Sequence, residues 1–204
     1  MCITIPSSAN IASGRQSPLW RWLTDSPVRL LSAGGGISIC LGVLVWLFGP
    51  AVSAAWQGFN LLFGILPFFL FAQLLSLLPK GLKVTPLRYL AYGSLCFLML
   101  AAQVVFSLSI MLADGPGVTY LLLVMTAWLF LLRVIINFLR SSFVTARIWQ
   151  RGLFISLLWG LASGCITAFF LVSGSLTTAL PPLLAGIGYL APASLFYLVL
   201  RYSS

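Results

Sequence analysis

The chain has 204 residues, 61% of them hydrophobic, and eleven Lys and Arg against only two acidic side chains, for a formal net charge of +9. Its mean hydropathy is +1.10. Soluble domains carry about 25% charged residues; the share here is 6%, which excludes a soluble globular or a disordered chain and predicts an all-α polytopic membrane protein.

At the N-terminus, Met1 to Gly14 (MCITIPSSANIASG) has neither the basic start nor the continuous apolar run of a cleaved leader. Residues 1–28 are expected to form a polar and basic cytoplasmic tail, and residues 29–204 a single transmembrane domain. A helix needs roughly 20 apolar residues to cross a hydrocarbon core, and six stretches qualify, at roughly 30–48, 58–79, 89–112, 118–139, 153–173 and 183–200. Turn chemistry separates them: Pro50 after the first, Pro79 and Gly81 after the second, Gly115-Pro116-Gly117 after the third, and Pro181-Pro182 ahead of the last.

The basic residues border these stretches, as Arg15, Arg21 and Arg29; Lys80, Lys83 and Arg88; Arg133, Arg140, Arg147 and Arg151; and Arg201. Threading the six spans in alternating direction brings all of them on or near one side and leaves Asp114 on the other. By the positive-inside rule this predicts two cytoplasmic termini. The charge is therefore a topology signal, and no nucleic-acid partner is expected.

Within the spans, Pro67 is predicted to kink the second. Gly34, Ser38 and Gly42 in the first and Gly160 and Gly164 in the fifth place small residues one turn apart, where helix backbones can approach closely. Trp20, Trp22, Trp56 and Trp149 stand at span edges, where aromatic anchors belong. Pro192 is predicted to bend the last span. Cys40, Cys96 and Cys165 fall inside apolar runs and Cys2 in the tail, with no CxxC pair; they read as buried structural thiols rather than a disulfide or zinc framework.

Chemistry-bearing residues are scarce. The sequence has no histidine and no glutamate, and both aspartates lie outside the spans. This removes bis-imidazole haem ligation, most copper and non-haem iron sites, Ser-His and Cys-His nucleophiles, carboxylate bases and proton relays. The expectation is a non-enzyme without a cofactor. The candidate polar or partner site is what remains: Asn60, Gln73, Gln103 and Asn137 as amides within spans, and Arg133, about two helical turns from the cytoplasmic end, as the one charge well inside. Arg133 has two readings: an interfacial arginine with its stem in lipid, or a cation holding an anionic lipid, substrate or partner carboxylate.

The order of segments resembles the N-terminal half of the NnrS family. PLWRWLTDSPVRLLSAGGG stands in place of that family's basic-aromatic lead, with Ser26-Pro27 at its Arg-Pro pair. Trp56-Gln57-Gly58-Phe59-Asn60-Leu61-Leu62-Phe63-Gly64 stands in place of a Trp followed by a His-Glu-Met-Leu-Phe-Gly motif. Leu62, Phe63 and Gly64 keep the Leu-Phe-Gly core, and Phe59 and Asn60, or Asn60 and Leu61, fall where the His-Glu pair would be. FAQLLSLLPKGLKVTPLRYL, Asp114 and RIWQRG have counterparts further on.

The family is described as haem- and copper-containing and linked to nitric oxide stress and denitrification. With the histidines gone, the resemblance implies an NnrS-like scaffold and no carried-over ligand. It implies insertion in a bacterial inner membrane and a non-catalytic accessory or assembly protein of respiratory or nitrogen-oxide physiology, partnered by another membrane protein or a second copy within the lipid bilayer. The alternative is a small transporter or channel for an uncharged or anionic solute, which would use Gln73, Gln103, Asn137, Arg133 and a kink at Pro67.

Overall fold

A computed structural model describes Trp22 and residues 25–48, 53–82, 88–112, 117–141, 148–174 and 176–188. Among them all regular structure is helical: α1 (Pro27–Phe48), α2 (Ala54–Phe59), a π-helical segment (Asn60–Ile65), α3 (Leu66–Leu82), α4 (Tyr89–Leu112), α5 (Val118–Ser141), α6 (Ile148–Val172) and α7 (Leu176–Ile187). α2, the π-helical segment and α3 run on as one rod.

Among the described residues five helices are long and apolar enough to cross a membrane: Pro27–Phe48, Ala54–Pro79, Tyr89–Leu112, Val118–Asn137 and Phe154–Val172. They coincide with the first five stretches expected from hydropathy, because a lipid-spanning segment must satisfy its backbone internally and helix is the local way to do so. The expected sixth span, 183–200, lies mostly outside the described residues. The described helix in that region starts at Leu176 and includes Pro181 and Pro182 instead of following them. Two prolines there remove only the bonds to the carbonyls of residues 177 and 178, close to the helix start. Residues 189–204, with Pro192 and the C-terminus, and residues 1–21 lie outside the described residues.

The second rod is the centre of the bundle: 56% of its most apolar window is buried, against 28–44% for the other four spans. α3 packs on α1, α4 and α5, while α2 meets α6 and α7. Around the rod gathers an aromatic core of Phe59, Phe63, Phe68, Phe71, Tyr120 and Trp128, all fully buried. Phe63 and Phe71 flank Trp128 with ring centroids at 6.0 and 5.2 Å, and Phe106 lies 4.7 Å from Tyr120. The outward faces carry Trp46, Phe48, Leu90, Phe97, Leu112 and Phe169, all strongly exposed, the kind of surface that acyl chains cover.

The small residues serve internal packing. A Cβ on Gly34 would meet the Phe68 ring at 2.8 Å and Cys96 Sγ at 3.0 Å, and one on Gly164 would meet Met125 at 3.1 Å and Phe63 at 3.2 Å. Of the three described thiols, all expected to be buried, Cys96 is; Cys40 and Cys165 are exposed. In a bundle of this size each helix turns one side outward, and an apolar run alone does not say which. Trp22 is exposed, with the Arg29 guanidinium 4.7 Å over its ring and Arg29 Nη1 donating to the Trp22 carbonyl at 3.2 Å.

Candidate functional site

The second rod is irregular where its sequence demands it. Pro67 has no N–H to return to the carbonyl four residues before it, that of Phe63, so a regular α-ladder is interrupted there. The chain answers with a wider turn: the Leu66 N–H bonds the Leu61 carbonyl, five residues back, as in a π-bulge. The Phe63 carbonyl accepts the indole N–H of Trp128 at 3.1 Å. A proline within a span is thus accommodated by a side chain from a neighbouring helix.

On the same turn the structure builds a buried polar node. Asn60 Oδ1 accepts two hydrogen bonds, from Gln103 Nε2 of α4 at 2.8 Å and from Tyr120 Oη of α5 at 2.8 Å. All three side chains are buried. An amide oxygen has two lone pairs, so both acceptor positions of Asn60 are used by protein. Ser107 Oγ donates to the Gln103 carbonyl at 2.9 Å one turn further on.

Gly64 makes room for this node. A Cβ there would clash with Gln103 Nε2 and would sit 2.6 Å from Asn60 Oδ1 and 3.1 Å from Tyr120 Oη. The last residue of the Leu62-Phe63-Gly64 landmark is therefore a glycine for a steric reason. Above the node, Trp56 is half-buried with its ring 6.5 Å from that of Tyr120, so it packs inward as well as marking the span edge.

Of the residues singled out from sequence, Asn60 and Gln103 are brought together. Gln73 is half-buried on α3, and its backbone carbonyl accepts Ser76 Oγ at 2.9 Å. Arg133 and Asn137 are exposed on α5, one turn apart. The five candidates thus fall into three separate surroundings: Asn60 with Gln103, Gln73, and Arg133 with Asn137. Sequence reasoning missed Tyr120, Trp128 and the role of Gly64. The available signal was depth: Asn60, Tyr120 and Gln103 all lie within about three turns of the same ends of their spans.

Among the described residues no group of three His, Cys, Asp or Glu side chains is placed to hold a metal. Chemically, the node can donate, accept and hold helices in register. Compared with protein-family models, with curated proteins and with solved structures, the chain finds no match.

Proposed function

We propose that this chain is a non-catalytic integral membrane protein of a bacterial inner membrane that acts through association, as an accessory or assembly partner of another membrane protein or of a second copy. The observation that carries the reading is the saturated oxygen of Asn60, bonded by both Gln103 and Tyr120. On the resemblance, Asn60 falls at or beside the position where the NnrS-like scaffold would keep a ligand, and here its side chain locks helix to helix. The link to nitric oxide and respiratory physiology rests on the resemblance described above.

A transporter would need its polar side chains along one path. The separate surroundings of Gln73, of Gln103 and of Arg133 with Asn137 lend more support to the accessory reading. The test is purification of the full chain in mild detergent, with mass spectrometry of copurifying proteins and a visible spectrum of the same sample. The expected result is a membrane protein retained at constant ratio, or a stable homo-oligomer, with no Soret band. A stoichiometric haem spectrum, or a monomer without partners that moves solute in vesicles, overturns the reading.

A further inference from the structure

α4 and α5 enclose an open groove of about 460 Å³, lined by Tyr89, Leu90, Gly93, Phe97 and Leu98 from the first turns of α4 and by Phe130 of α5. Its floor is opened by Gly93, where a Cβ would meet nothing nearer than the Tyr89 ring at 3.4 Å. Apart from Ser94, the lining is apolar and aromatic, and the volume lies within the range of roughly 300–1,000 Å³ typical of ligand pockets.

Basic side chains flank the groove without lining it. Arg133 and Asn137 follow Phe130 by three and seven residues, so the helical period carries them along the same side of α5. Both are exposed, as is Arg88, which directly precedes Tyr89. Among the described residues Asp25 is the only acidic side chain, so the protein has almost no carboxylates to neutralise these guanidinium groups. An arginine about two turns inside a span must reach the interface or meet an anion.

We propose that this groove holds an anionic phospholipid of the leaflet that carries the basic loops, with an acyl chain along Gly93 and Phe97 and the headgroup phosphate at Arg133. An apolar cleft flanked by cations matches the two halves of such a lipid, and cationic clefts between spans are suited to anionic headgroups. The inference uses no residue of the Asn60 node, so its failure leaves the accessory reading as it stands.

The experiment places the full chain in nanodiscs of phosphatidylcholine with a minor fraction of phosphatidylglycerol and measures the lipids retained after mild extraction by native mass spectrometry. The wild type is expected to retain phosphatidylglycerol in excess over its share of the bilayer. Arg133→Gln, an exposed change whose folding is checked by circular dichroism, is expected to lower that selectivity about fivefold, the effect of one cation near a headgroup. Gly93→Leu, which fills the cleft, is expected to reduce retention of both lipids, and Phe97→Ala does so should the leucine variant fail to fold. Unchanged selectivity in Arg133→Gln, or full retention in the cleft variants, overturns the proposal. So does complete displacement of phosphatidylglycerol by inorganic phosphate alone, which would mark a free-anion site.

Discussion

Trp128 on α5 donates its indole N–H to the Phe63 carbonyl across 3.1 Å, and Phe63 is the carbonyl that Pro67 cannot serve. Two residues 65 apart in sequence thus repair a break that a third one makes. The repair holds α5 to the central rod at the depth of the π-helical turn, next to the polar node.

Trp128→Phe keeps a ring between Phe63 and Phe71 while removing the donor. Unfolding in detergent is expected to show a loss of about 1–2 kcal/mol. In a Pro67→Ala background the residue 67 N–H returns and can take over the Phe63 carbonyl, so the same substitution is expected to cost less. Equal losses in both backgrounds would sever the link between the tryptophan and the proline.

Gly64→Ala is expected to destabilise by about 1–3 kcal/mol, the usual cost of overpacking, because its Cβ would occupy the space of the Gln103 amide and the Asn60 oxygen. Gly36 is the control: it is helical, and a Cβ added there would have nothing within 4 Å. Gly36→Ala is expected to stabilise by about 0.5–1 kcal/mol. Thermal denaturation of both variants in one detergent tests the contrast; if Gly64→Ala were as well tolerated as Gly36→Ala, the node would have to be looser than its distances imply.

Asn60→Ala leaves Gln103 and Tyr120 without their shared acceptor. Each hydrogen bond between spans is worth about 0.6 kcal/mol on average. Double-mutant cycles of Asn60→Ala with Gln103→Ala and with Tyr120→Phe are therefore expected to give coupling energies of about that size for each pair. Additive losses within error would mean that the three side chains do not act together.

Sidedness follows from charge. Reporter fusions in the 80–88 segment are expected to be fluorescent as green fluorescent protein and inactive as alkaline phosphatase, with the reverse after Asp114. An active phosphatase in the basic segment would overturn the orientation with both termini cytoplasmic.

Much of the fold is legible in the sequence because lipid makes spanning segments a one-dimensional problem. Length and hydropathy suffice to locate Pro27–Phe48, Ala54–Pro79, Tyr89–Leu112, Val118–Asn137 and Phe154–Val172. Pro67 announces an irregularity but not its form. Asn60 and Gln103 are visible as polar side chains in apolar surroundings, yet their meeting depends on the rotation of two helices about their axes. Tyr120, near a span edge, reads as an ordinary interfacial aromatic, and Trp128 as an apolar residue among others. Cys40 and Cys165 depart from expectation for the same reason, since a uniformly apolar helix carries no mark of its inward face.

The sequence by itself determined the apolar character of the chain, the helical class, the positions of five spans, and the absence of histidine and glutamate. Those properties are sums over residues and need no partner. Only the tertiary structure decided that Asn60 is saturated by Gln103 and Tyr120, that Gly64 is the space they occupy, and that Trp128 completes the helix Pro67 interrupts. Each of these joins residues from different helices, and in a hydrocarbon medium where every face is apolar, the packing of side chains settles which faces meet.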